Sequence, residues 1–239
     1  GKLGQPRLRP PFPAAKGLYA RPTVVNNVET LATLPPILER GADWYRTLGT
    51  KDSPGTKVFS LSGHVTRPGN YELPLGTPFR RLIYEDGGGI PGGKAIRAIL
   101  PAGASAPMLE ATDVVLDTPM DYESLPKVGS MLGSASIIVM DETVDIAWVA
   151  LKTTRFFKHE SCGKCTPCRE GTFWMLQVLE RLHDRGPAGG PADGQVDLLR
   201  AVAKGIEGKC LCPLGEFAIM AVVSGIDIFR PDFAAHEID

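Results

Sequence analysis

Three cysteines recur at every third position in Glu160-Ser161-Cys162-Gly163-Lys164-Cys165-Thr166-Pro167-Cys168-Arg169-Glu170-Gly171. At that spacing one short loop can wrap three thiolates round three corners of a cubane. Iron–sulfur clusters use such a run, with the fourth cysteine supplied from elsewhere. Gly163 keeps the loop thin enough for backbone to approach sulfur. Cys168 falls in the first turn of a predicted helix, where free N–H groups and the helix dipole favour negative charge. Lys164 and Arg169 add positive charge. These features stabilise thiolates and should favour the reduced state of an anionic cluster. The fourth ligand has to be Cys210 or Cys212, the other two of five cysteines. Cys212 is chosen because Pro213 follows it, the Cys-Pro ending of bacterial ferredoxin runs. Cys210 is then a spare, buried, small apolar thiol. The competing chemistry is structural zinc on two thiols of the first group plus Cys210 and Cys212. Zinc motifs pair cysteines two by two, which leaves a third equally spaced cysteine without a role.

The rest of the chain has to position these two cysteine segments. It has 239 residues, enough for one large domain or two modest ones. Hydrophobic residues make up 43% and charged residues 22%, so a real core can be buried and disorder is excluded. With 27 Gly and 21 Pro the chain is too rich in turn-formers to be helical throughout. A net charge of −1 gives no electrostatic footprint for wrapping nucleic acid. The longest clean apolar run, Phe217 to Val223, is far short of the roughly 20 residues that span a bilayer. No apolar stretch follows Lys2, Arg7 and Arg9, so no signal peptide is expected. The chain also lacks an initiator Met, which reads as a fragment or a processed product. An odd, clustered set of cysteines without a secretion signal argues against a disulfide framework and for a reducing, cytoplasmic compartment.

Residues 1–22 read as extended and Pro-rich. Asn27 should cap a helix that Pro35-Pro36 interrupts, with a second helical stretch from Ile37 to Leu48. From Lys57 the period changes. Residues 57–62 and 69–73 read as a strand pair, and Thr77-Pro78 should open a short helix that Gly87 ends. Ala95 to Leu100 and Ala135 to Met140 are further strands. This order predicts an α+β fold, a β-grasp module first. Four helices then follow. Thr143 should cap the first, from Val144 to about His159, and the second runs from Pro167 to Asp184, with Gly186 past its end and a Gly/Pro loop after it. The third carries Val196, Leu199, Val202 and Ile206, and Pro213 starts the fourth. Helices of these lengths make a small bundle. Trp148, Phe156, Phe157, Phe173 and Trp174 are assigned to its core, excluding water from the cluster.

Glu160 to Gly171, with Pro11-Phe12-Pro13 and Asn26-Asn27-Val28-Glu29-Thr30, resembles the family of flavoprotein (F) subunits of bacterial respiratory NADH:quinone oxidoreductase, complex I. The likeness runs from end to end of this chain but covers only the later half or so of such a subunit. The family's glycine-rich flavin- and nicotinamide-binding region is absent, as is the acidic pair that would precede Gly1. The resemblance implies three parts: residues 1–54 as the tail of the FMN/NADH-binding domain, 55–140 as a β-grasp (soluble-ligand-binding) domain, and 141–239 as a helical [4Fe-4S]-binding domain. It implies a [4Fe-4S] cluster on Cys162, Cys165, Cys168 and Cys212. Asn26, Asn27 and Thr30 match positions that contact FMN in the family, and Phe12 matches an aromatic that stacks on the NADH adenine. A capped helix start is an anion site suited to a flavin phosphate. Without the resemblance, Asn27 would read as a plain cap and Phe12 as a packing anchor.

The implied activity is electron transfer in an NADH dehydrogenase: from NADH-reduced FMN onto the cluster and onward towards quinone, with no NADH oxidation by this chain alone. The implied partners are the other hydrophilic subunits of complex I, including the [2Fe-2S] thioredoxin-like subunit and the large iron–sulfur subunit. The implied location is the cytoplasmic face of the inner membrane, peripheral and without a span. One alternative is the diaphorase subunit of an NAD-linked formate dehydrogenase or hydrogenase. Another is a zinc-stapled interaction module. Gly88 to Lys94 nearly spells a phosphate loop, but Ala95 stands where Ser or Thr should hold magnesium and a strand follows, so it reads as a turn. His159 and His183 read as solvated helix-end residues.

Overall fold

The structure, a computed structural model, describes residues 10–185 and 194–235, and of residues 184 and 185 the backbone alone. The expectations for residues 1–9, for Gly186 and for most of the Gly/Pro loop lie outside the described residues. The chain divides into two units, Gly1–Leu48 and Gly49–Asp239.

In the first unit, α1 (Pro13–Lys16) and a 3-10 turn (Leu18–Ala20) precede α2 (Val28–Arg40) and α3 (Ala42–Arg46). Asn27 caps α2, its Oδ1 accepting the Glu29 N–H at 2.8 Å. Pro35 and Pro36 do not interrupt α2, contrary to the sequence expectation. They deprive the carbonyls of Leu31 and Ala32 of a helical donor, but both residues are exposed and water can replace it. The expected second stretch is instead divided at Gly41, whose φ of +90° a side-chain-bearing residue rarely adopts.

The second unit is built on one five-stranded sheet of β1 (Thr56–Gly63), β2 (Gly69–Pro74), β3 (Ile96–Ala104), β4 (Leu109–Glu110) and β5 (Ser136–Asp141), in the order β2-β1-β5-β3-β4. β1 and β5 run parallel and the other pairs antiparallel. Both faces of the central strands are buried, and the period-2 alternation of side chains divides them between two cores. Ile99 of β3 with Ile137 and Val139 of β5 join Phe59, Leu61, Phe79 and Leu82 on one side. Ala98, Leu100 and Met140 join the helical core on the other. Mixed α+β is therefore the architecture.

The segment after β2 forms a π-helical turn, Arg81–Asp86, ended by Gly87. Thr77 does not cap it, because its hydroxyl donates back to the Pro74 carbonyl at 2.7 Å. Gly88 to Lys94 is a turn, with a 3-10 turn at Pro91–Gly93 and β3 following. A short α4 (Asp113–Leu116) leads towards β5.

Four long helices complete this unit: α5 (Ile146–Glu160), α6 (Thr166–Arg185), α7 (Gln195–Ile206) and α8 (Leu214–Ala234). α5 packs on α6 and α8, α7 packs on α6 and α8, and α8 also touches β3. Asp145, not Thr143, caps α5 by accepting the Ala147 N–H at 2.9 Å. The Thr143 hydroxyl is already used, donating to Asp141 Oδ1 at 2.6 Å. Asp232 near the end of α8 accepts the Ile146 N–H at 2.9 Å and pairs with Arg97 of β3, tying sheet and helices together.

The aromatic expectation is corrected. Phe157 is 4% exposed, but Trp148, Phe156, Phe173 and Trp174 range from 39% to 53%. On α5 the core stripe is taken by Ile146, Ala150, Thr154 and Phe157 at helical spacing, which turns Trp148 and Phe156 outward. Among the described residues no helix is long and apolar enough to cross a membrane.

Candidate metal centre

The Cys162–Cys168 segment is the connection between α5 and α6. α5 stops at Ser161, whose N–H still reaches the Phe157 carbonyl at 2.9 Å. The chain then turns through Gly163 at φ +74°. Arg169 reaches back along the first turn of α6 to donate to the Gly163 carbonyl at 2.7 Å, closing the loop on itself. Ser161 Oγ lies 3.2 Å from Cys168 Sγ and accepts the Gly163 N–H at 3.3 Å. Thr172 is fully buried and donates to the Cys168 carbonyl at 2.7 Å. A Cβ on Gly171 would meet Ile206 Cγ1 at 2.4 Å, so glycine is what lets α7 come close beneath the loop.

The second cysteine segment joins α7 to α8. Glu216, in the first turn of α8, accepts the Gly208 N–H at 2.7 Å and braces this turn. Leu211 then offers its backbone N–H to the Cys165 sulfur, which holds the Cys165 thiol below its ordinary pKa. Burial pushes the Cys168 thiol up, and the nearby sulfurs of Cys165, Cys212 and Cys162 add to the shift while Ser161 opposes it. Burial pushes Cys210 furthest, up to about 12, with Cys165 and Cys168 contributing. Cys210 packs against the helical core.

The structure therefore brings Cys162, Cys165 and Cys168 to one site with the Cys210–Cys212 turn. Among the described residues, no three His, Cys, Asp or Glu side chains gather closely enough to hold a single metal ion. Thiols drawn from two segments are the donor chemistry of an iron–sulfur cluster, and a helix N-terminus and Arg169 lie beside them to offset negative charge. Sequence reasoning missed Ser161, Glu216 and the Leu211 N–H. Ser161 stands directly before the first cysteine and could have been suspected. The other two act through a backbone turn that no spacing rule reports.

Asn26, Asn27, Thr30 and Phe12 belong to the first unit. Asn26, Asn27 and Thr30 are exposed around the start of α2, and the Asn27 oxygen is engaged as a cap. Phe12 is 58% exposed and lines a cleft of about 520 Å³ with Pro13, Ala14 and the residues from Pro22 to Val25.

Residues 148–236 match the family model described as the NADH-ubiquinone oxidoreductase-F iron-sulfur binding region, and residues 58–108 match an SLBB domain. Fold and cysteine site together thus define an iron–sulfur-binding region joined to an SLBB sheet. Over 99% of its length the chain is 48% identical to the F subunit of NADH-quinone oxidoreductase in Mycobacterium bovis, covering 52% of that protein. It is 47% identical to the F 2 subunit of the same enzyme in Rhizobium meliloti, again over 99% of the chain and 55% of the relative. The chain is thus similar to the F subunits of NADH-quinone oxidoreductase and spans about half the length of the curated relatives it matches. A crystal structure of an NAD+-reducing [NiFe]-hydrogenase in the air-oxidized state aligns with TM-score 0.83 at 33% identity, over 100% of this chain and 39% of that one.

Proposed function

We propose that the chain is the electron-transfer part of an NADH dehydrogenase subunit, taking electrons from NADH-reduced FMN onto a [4Fe-4S] cluster and passing them towards quinone. One observation carries this reading: the three-cysteine loop and the Cys210–Cys212 turn meet inside a stretch that matches an iron–sulfur binding region. A bound [4Fe-4S] cluster would supply single-electron storage, where flavin and NADH exchange pairs. Cys162, Cys165, Cys168 and Cys212 would hold it. The α6 N-terminus, Arg169 and the Leu211 N–H offset negative charge on the sulfurs, and Phe157, Thr172 and Ile206 exclude water from beneath the loop. Asn26, Asn27 and Thr30 would face an FMN phosphate from the start of α2, and Phe12 would stack on the adenine of NADH.

The finer architecture belongs to the same proposal: a tail of the FMN/NADH-binding domain at 1–54, a β-grasp domain at 55–140 and a four-helix cluster domain at 141–239. So do the partners, a [2Fe-2S] thioredoxin-like subunit and a large iron–sulfur subunit, and a peripheral position on the cytoplasmic face of the membrane. The hydrogenase likeness supports a second reading, a diaphorase subunit. The higher identity to the quinone-linked relatives favours the first. Metal analysis tests both: iron and acid-labile sulfide support a redox subunit, while stoichiometric zinc in their place contradicts it.

A further inference from the structure

Side chains of α7 and α8 line a cavity of about 440 Å³, together with Pro107 and Gly129. That volume lies at the small end of the range for small-molecule sites, about 300–1,000 Å³. Ile219, Met220 and Val223 of α8 supply an apolar lining. The polar groups around them divide into those already engaged and those left over. Ser224 Oγ donates to the Met220 carbonyl at 2.6 Å and accepts the Met108 N–H at 2.8 Å. Arg200 is paired with Asp227, and Glu216 Oε1 accepts the Gly208 N–H at 2.7 Å. Lys204 and Glu207 are exposed, and neither side chain has a hydrogen bond or ion pair among the described residues. They do not pair with each other, although they stand three positions apart on α7, a spacing at which opposite charges can meet.

We propose that this cavity binds a small zwitterion with an apolar body, of which a free amino acid with a large apolar side chain is the simplest kind. One unpaired cation and one unpaired anion border the apolar lining, so the complementary ligand carries both charges and an apolar group. Three positions along an α-helix rise about 4.5 Å. That short step suits an ammonium and a carboxylate on one carbon better than charges at the two ends of a long molecule. Lys204 takes the carboxylate and Glu207 the ammonium, with Glu216 Oε2 as a further acceptor. The apolar side chain lies on Ile219, Met220 and Val223. A ligand with a single charge leaves Lys204 or Glu207 desolvated without a partner, which costs free energy and makes the site selective. Neither the cysteines nor a flavin enters this inference. The site nevertheless adjoins the candidate metal centre, because Glu216 both lines the cavity and braces the turn that carries Cys210 and Cys212.

The test is isothermal titration calorimetry on the protein purified with its metal centre, using L-leucine and L-phenylalanine. Three probes accompany them: 3-phenylpropionate lacks the ammonium, 2-phenylethylamine the carboxylate and glycine the apolar body. At least one of the two amino acids should bind saturably at one site per chain, and each probe about tenfold more weakly or worse. Lys204→Gln and Glu207→Gln should each weaken that binding about tenfold or more and leave the unfolding midpoint at its wild-type value. Lys51→Gln, which removes an exposed lysine outside the cavity, should bind as wild type does. Absence of saturable binding by both amino acids overturns the proposal. A single-charge probe or glycine that binds as tightly as the amino acid also overturns it, since the site then reads something other than a zwitterion with an apolar body. Full affinity in Lys204→Gln or Glu207→Gln places the ligand elsewhere and overturns it too.

Discussion

Cys210 and Cys212 are two positions apart, and their surroundings separate them. Cys210 is seated on Gly215 and packs against the helical core, whereas Cys212 directly precedes Pro213 at the start of α8. Cys212→Ser should therefore lose most of the bound iron and Cys210→Ser should keep it, as total iron and sulfide per chain would show. Full iron in Cys212→Ser would mean that the wrong thiol has been chosen. The cysteines were legible in the sequence because a three-residue repeat of one rare residue type has few other uses. Ser161 and Glu216 were not, because their roles depend on the direction of a hydrogen bond, which the chain settles only after it has folded.

Among the elements, strands β1, β2, β3 and β5 and the four long helices stand close to where periodicity puts them, since long regular elements bury faces at fixed intervals. Among the local expectations that failed, three did so for separate reasons. Pro35-Pro36 passes through α2 because the stranded carbonyls face solvent. Thr143 is diverted by Asp141, leaving the cap of α5 to Asp145. The exposed aromatics of α5 and α6 show that size and apolarity do not decide which helical stripe turns inward. Helix contacts make two predictions. Gly171→Ala forces a methyl against Ile206 and should cost about 1–3 kcal/mol, read as a lower midpoint of thermal or urea unfolding. An unchanged midpoint would mean that α6 and α7 are not so closely packed. Asn27→Ala removes the cap of α2 and should cost about 1 kcal/mol of local stability, seen as faster amide exchange at Glu29. Asn27→Ser, which keeps a cap oxygen, should exchange near the wild-type rate.

Across the second unit, Asp141 at the end of β5 gathers the start of β3, the end of β1 and the approach to α5. Its carboxylate accepts the Thr143 hydroxyl and N–H, pairs with Lys94 at 3.2 Å and lies 3.0 Å from His64 Nδ1. The Thr143 hydroxyl, then its N–H, then Lys94 and His64 hold the Asp141 carboxyl well below the ordinary carboxylate range, against the opposing effect of burial. A depressed folded-state pKa contributes stability that is present above the unfolded value, about 3.9, and is lost as pH falls through the folded one. Asp141→Asn should therefore unfold more easily at neutral pH and show a shallower loss of stability below about pH 4. Equal acid slopes in urea titrations of the two proteins would contradict that coupling. The central claim concerns the site that this framework holds: thiols from two distant segments grip an iron–sulfur cluster. Metal and sulfide content with a spectrum of the dithionite-reduced protein, prepared without oxygen, tests it most directly. The account predicts a brown protein with about four irons and matching sulfide per chain, and a paramagnetic signal on reduction. A colourless protein with one zinc and no such signal would contradict it.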